Sequence, residues 1–138
     1  MEITANPTLR TILDEKFVKM TLDPSTSVIT AKWIGFLNMD NLTKGCGALN
    51  NAIQNEKITL HISDQTELKV LTKELQEYIG GVWFEQVEKL GLKKIAILMA
   101  EDVFAQIAVN KVNLSAQFRN LSIQSFSSAD KCAAWLAE

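Results

Sequence analysis

Residues 61–64 read His-Ile-Ser-Asp, and His61 is the chain's single histidine. These are the side-chain types of an acyl-transfer triad, in which an imidazole takes a proton from a hydroxyl and a carboxylate orients the imidazole. The surrounding "KITLHIS" has strand character, and successive strand side chains point to opposite faces. His61 and Ser63 therefore share one face, Ile62 and Asp64 the other. Four consecutive strand residues cannot assemble nucleophile, base and orienting acid. The expected reading is a polar strand end, with Asp64 and Glu67 at capping-box spacing for a following helix.

An acid for such chemistry would have to come from elsewhere. Glu101 and Asp102 follow the apolar segment "KKIAILMA", and ligands of alternating α/β sheets bind outside the carboxyl ends of strands. Asp64, Glu101 and Asp102 are thus a candidate ligand or partner rim beside Ser63. No glycine-rich phosphate loop or second histidine accompanies them. The chain is expected to be non-enzymatic, with no catalytic residue, no metal and no cofactor. Cys46 and Cys132 both fall on helical apolar stripes and are expected to be reduced, packed thiols.

The elements that would position these residues follow from hydrophobic periodicity. The 138 residues, 47% of them hydrophobic, suit one domain over 1–138. Residues 8–13 are a strand candidate leading into "FVKMTL", where Val18, Met20 and Leu22 alternate with Lys19 and Thr21. "DPST" places a proline at the second position of a turn. Ile29, Ala31 and Trp33 then alternate along "SVITAKWI", so an antiparallel hairpin is expected at the amino terminus. Leu42, Cys46, Leu49 and Ile53 recur at helical spacing over about 39–55, with Asn38 or Asp40 available as cap. "KITLHIS" is the next strand. Leu68 to Leu90 carry a long helical pattern, with Gly91 and Leu92 as a left-handed cap and its hydrophobic contact. "KKIAILMA" reads as a strand covered on both faces. "EDVFAQIAVNKVNLSAQF" reads as a helix, and "LSIQSF" as a strand nearer the edge. "SSADKCAAWLAE" closes the chain as a helix, with Ser127 and Asp130 at capping spacing and Ala129, Cys132, Ala133 and Leu136 on one face. The sum is an α/β fold: a mixed sheet opened by an antiparallel hairpin, then alternating helix and strand (βββαβαβαβα).

With this order in place, the chain resembles the small domains related to anti-sigma-factor antagonists, the STAS-like group, some of which are also classed with the CRAL-TRIO lipid-binding fold. Three stretches carry the resemblance: the apolar strand ending in Gly35-Phe36, "LGLKKIAILMAEDVFAQIAV" at 90–109, and "SFSSADKCAAWL" at 125–136. The resemblance implies a bacterial regulatory module that binds a protein partner. Its phosphoserine switch would sit in an Asp-Ser-Ser-Gly-like turn between a central strand and the next helix. Here that region is "SDQTELKVLTKE", without the serine pair or the glycine. Ser63, Thr66 and Thr72 are the candidate phosphoacceptors, and the usual switch is expected to be lost.

One surface stands out. On a helical wheel for 72–91, at roughly 100° per residue, Ile79, Trp83, Val87 and Leu90 share a face while Phe84 falls outside it. Gly80 and Gly81 lie beside it, each costing about 1 kcal/mol relative to alanine in a helix. This suggests close approach by another element of the fold, by a protein partner or second copy, or by a ligand, so Gly80, Gly81 and Phe84 are a candidate interface; alternatively the glycines break the helix and rotate Trp83 and Phe84 together. Trp33, Trp83, Met99 and Phe104 are candidate walls of a pocket for a small lipophilic ligand, the alternative function. Net charge is −2, without a basic patch, so no nucleic-acid partner is expected. No signal peptide or 20-residue apolar run is present, so no membrane span and a cytoplasmic location are expected.

Overall fold

The computed structural model of the chain describes residues 9–103 and 118–138. Three strands open the fold as an antiparallel meander: β1 (Arg10–Glu15), β2 (Val18–Asp23) and β3 (Val28–Phe36). Alternation decides their facing, since Val18, Met20 and Leu22 are buried, as are Ile29, Ala31 and Trp33 beside them. The β2–β3 turn is fixed by Asp23, whose carboxylate accepts from the Ser25 backbone N–H at 2.9 Å and from the Ser25 hydroxyl at 2.6 Å. Ser27 completes it at φ 59°.

Three parallel strands extend the sheet: β4 (Leu60–Val70), β5 (Lys94–Leu98) and β6 (Ser122–Phe126). The six strands lie in sequence order, β1 to β6. Helix α1 (Met39–Glu56) joins β3 to β4. Helix α2 (Lys73–Tyr78), a π-helical turn (Ile79–Trp83) and α3 (Phe84–Leu90) join β4 to β5. Both crossovers advance in the same direction along the sheet, so right-handed connection places their helices on one face. Helix α4 (Ala129–Leu136) follows the last strand and packs on the other. Strand parity sorts the core accordingly. Ile95, Ile97 and Ile123 join the large cluster with α1 and α3, whereas Ala96, Ile62 and Leu98 meet Cys132 and Leu136 of α4. This is the mixed α/β sheet that the sequence pattern predicts. Residues 101–103 are helical, and the remainder of the helix expected after β5, 104–117, lies outside the described residues.

Several local expectations are corrected. The capping box at Asp64 and Glu67 does not form, because β4 continues to Val70. The helix begins at Lys73 with Thr72 as cap, its hydroxyl accepting from the Leu75 N–H. The last helix is capped by Ser128, one residue after the expected Ser127. Its buried face is Cys132 and Leu136, while Ala129 and Ala133 are exposed.

Over 79–84 the regular helix gives way, the alternative to an unbroken helical wheel, and the candidate interface is corrected. The Phe84 N–H bonds to the Ile79 carbonyl five residues back, which inserts one residue into the helical spacing. Face assignment past that point rotates, so Trp83 and Phe84 are buried together at 4% and 5% exposure. Phe84 is core, packed edge-on against Phe118 at 6.0 Å between ring centroids. It offers no interface. Gly80 and Gly81 are not crowded either, since a Cβ built on each meets nothing within 4 Å. The close approach occurs at Gly45 instead, where a Cβ would lie 2.5 Å from Cη2 of Trp33.

Candidate functional site

On the α1–α3 face, running along β4 from His61 toward the carboxyl ends of β3, β4 and β5, the described residues line a cavity of about 450 Å³. The sheet contributes Trp33, His61, Ser63, Gln65, Ile95 and Ile97, with Met99 just beyond β5. The helices contribute Leu42, Cys46, Gln76, Ile79, Gly80, Trp83 and Phe84. Topology explains the location: parallel strands end together here while their crossover helices start above them. Among the described lining residues none carries a formal charge at neutral pH, and most are apolar. The structure thus brings Trp33, Trp83 and Met99 to one cavity. Phe104 lies outside the described residues.

Strand register supplies the polar part of the wall. His61 sits between Ile29 and Ile95, and Ser63 between Ala31 and Ile97. The flanking strands therefore turn apolar residues to this face where β4 turns His61, Ser63 and Gln65. His61 is 1% exposed. Its Nδ1–H donates to the Ile29 carbonyl at 2.8 Å, because a carbonyl can only accept. The neutral ring then carries a lone pair on Nε2, and among the described residues that atom is the one buried side-chain polar atom with no hydrogen-bond partner. Burial pushes the imidazole down to about 4, against the opposing effect of the Ile29 bond. Trp83 packs its ring edge-to-face with His61 at 5.8 Å, and its indole N–H donates to Asn50 Oδ1 at 2.9 Å. The Ser63 hydroxyl accepts from the Gln65 amide at 3.3 Å.

The other candidates are dispersed. Asp64 faces away from the cavity, on the α4 side, near Lys32, which is raised chiefly by its ion pair with Glu67 and less by Asp64, and near the Cys132 thiol, which is raised first by burial and then by Asp64. Its carboxylate accepts from the N–H and hydroxyl of Thr66 at 3.0 and 2.7 Å. Glu101 and Asp102 are exposed at the start of a helical segment that follows β5. With Asp64 on the opposite face from Ser63, the three carboxylates do not form one rim beside it. Nor does any group of three His, Cys, Asp or Glu among the described residues lie close enough to hold a metal ion.

Of the three hydroxyls, Ser63 is buried at 8%, Thr66 is exposed but engaged with Asp64, and Thr72 is exposed at the cap of α2. Thr72 lies at the junction between β4 and α2. Cys46 is buried, its thiol pushed up to about 12 by desolvation. Parity places His61 and Ser63 on one face in advance, but Gln65, the third inward polar residue of the series, was missed. The signal was present as a period-two run of polar residues on a strand whose face helices cover.

No family model matches the chain, and no curated protein matches it in sequence. Among solved structures it is similar to an uncharacterized protein of the DUF3478 family with a SpoIIAA-like fold from Shewanella loihica PV-4. The two superpose with a TM-score of 0.55 at 15% identity, over 98% of this chain and 99% of that one. The chain has a SpoIIAA-like, STAS-like α/β fold. No described helix is long and apolar enough to cross a membrane.

Proposed function

We propose that this STAS-like domain is a non-enzymatic regulatory module that acts by binding a small lipophilic molecule in the cavity between β4 and the α1–α3 helices. One observation carries the reading: a cavity of about 450 Å³ with uncharged, mainly apolar described walls and two tryptophans. Ligand pockets run from about 300 to 1,000 Å³ and are mostly apolar with a few placed polar groups. Catalysis has weaker support. Ser63 and His61 share the wall, but among the described residues no carboxylate orients the imidazole, whose Nδ1–H goes to Ile29, and a base held near 4 is mostly unable to hold a proton at neutral pH.

The test is native mass spectrometry of gently purified protein, with fluorescence titration of the tryptophans against a panel of neutral and acidic lipids. A bound small molecule, or a saturable fluorescence change that Ser63→Leu abolishes by filling the cavity, supports the reading. Bare chain mass with no response across the panel sets it aside.

A protein partner, alone or together with the ligand, is the second reading. Phe36 favours it: this aromatic ends β3 at 73% exposure, beyond Gly35 at φ 74°. Large exposed aromatics are enriched in interfaces. Capture of a cellular partner or a second copy that Phe36→Ser weakens without unfolding would support it. Unchanged capture would remove Phe36 from the interface.

A further inference from the structure

The proposed cavity also carries information about which lipophilic molecule it selects. His61 is placed on the inner face of β4, and its Nδ1–H is committed to Ile29. That bond fixes the tautomer, so Nε2 can only accept. A buried acceptor left unmatched costs on the scale of a lost hydrogen bond, and interiors rarely tolerate one without a reason. About 6.6 Å along the strand, two residues on, the Ser63 hydroxyl lines the same cavity and takes its own bond from Gln65. It keeps a proton to donate. The wall of this mainly apolar enclosure therefore holds an unmatched acceptor, covered by its neighbours, and a donor, with Gln65 and Gln76 as further polar side chains, and its described residues offer no cation to a carboxylate. Bringing an unpaired carboxylate into such a site is strongly unfavourable.

We infer that the cavity selects a neutral lipophilic alcohol, with the ligand hydroxyl donating to Nε2 of His61. The inference rests on the lipophilic-ligand reading and adds the chemical class of the ligand and the atom that recognises it. The volume is ample: an engineered apolar cavity of roughly 150 Å³ already holds benzene.

Because His61 is the only histidine, a protein labelled with ¹⁵N in its histidine gives one imidazole spectrum. The wild-type protein is titrated with 1-octanol, octane and octanoate, following both that spectrum and tryptophan fluorescence. The expected result is saturable binding of octanol that moves the Nε2 resonance toward the hydrogen-bonded position, while octane binds and leaves it in place. Octanoate at pH 7.5 is expected to bind at least tenfold more weakly than octanol. In His61→Phe the ratio of octanol to octane affinity should fall roughly fivefold or more, because a buried hydroxyl loses its acceptor. That ratio is insensitive to a general loosening of the fold.

Binding of octanol with an unmoved Nε2 resonance, an unchanged affinity ratio in His61→Phe, or preference for octanoate overturns the alcohol inference and leaves a lipophilic pocket standing. Failure of both octanol and octane to bind overturns the pocket reading itself, and the inference with it.

Discussion

His61 donates through Nδ1 to the carbonyl oxygen of Ile29, 2.8 Å away and directly opposite it in the parallel β3–β4 ladder. The bond holds the ring in one tautomer inside a cavity wall, and burial outweighs it to bring the imidazole down to about 4. An unfolded histidine titrates near 6.5. Between those values the unfolded chain binds a proton that the native chain does not, so stability rises with pH across the window. The contribution is complete above about 6.5 and is lost as pH falls through 4, on the order of 3 kcal/mol in all. Urea midpoints at pH 7.5 and 4.5 should differ accordingly, with much of the difference absent in His61→Phe. Equal slopes for both proteins between pH 7 and 4.5 would contradict a buried neutral imidazole.

Trp33 fixes the approach of α1 to the sheet. A methyl added at Gly45 would meet Cη2 and Cζ3 of that ring at 2.5 and 2.8 Å, and the ring is itself buried. Gly45→Ala should cost about 1–3 kcal/mol through overpacking. Two residues on, Gly47 is exposed and a Cβ there meets nothing within 4 Å. Gly47→Ala should stabilise by about 0.4–1 kcal/mol, chiefly by restricting the unfolded chain. Denaturant midpoints of the two variants should move in opposite directions, and a shared direction would mean that Trp33 does not pack there.

How far such features can be read ahead of the coordinates depends on whether they are local. Strand alternation at Val18–Leu22 and the Leu42, Cys46, Leu49, Ile53 stripe are local, and the sheet with its covering helices follows from them. Phe84 shows where periodicity stops working. A wheel assumes an unbroken period of 3.6, and the π turn over Ile79–Trp83 adds one residue, which turns an apparent surface aromatic into core. Asp64 and Glu67 have cap spacing, yet β3 runs long enough to pair with β4 as far as Val70, and ladder formation overrides the local cap. The candidate site is intermediate. That His61 and Ser63 share a face is legible from parity, but the depth of the cavity and the commitment of Nδ1 to Ile29 require the neighbouring strand, which no local pattern supplies.

Asn50 links α1 to the cavity's aromatic wall. Its Oδ1 accepts from the Trp83 indole N–H at 2.9 Å, and its amide donates to Gln86 Oε1 at 3.1 Å. Trp83 is 4% exposed, so Asn50→Ala strands a buried donor and should cost about 1–3 kcal/mol. Trp83→Phe removes that donor. In its background Asn50→Ala should cost measurably less, a coupling that a double-mutant cycle in urea reads directly. Additive effects would show that the indole finds another partner.

The two thiols give a final check on how well both faces of the sheet are sealed. Cys46 on the cavity face and Cys132 on the buried face of α4 are free and buried. Burial pushes them up to about 12 and about 11, Asp64 adding to the second. The thiolate is the reacting species, so at pH 8 the native protein should react with a disulfide reagent far more slowly than free cysteine does. Both thiols should appear on unfolding in urea. If the α4 face opens separately from the rest, Cys132 will label before Cys46 at sub-denaturing urea. Simultaneous labelling at the rate of global unfolding would instead mark the two faces as one cooperative unit, and immediate labelling of either thiol in native buffer would contradict its burial.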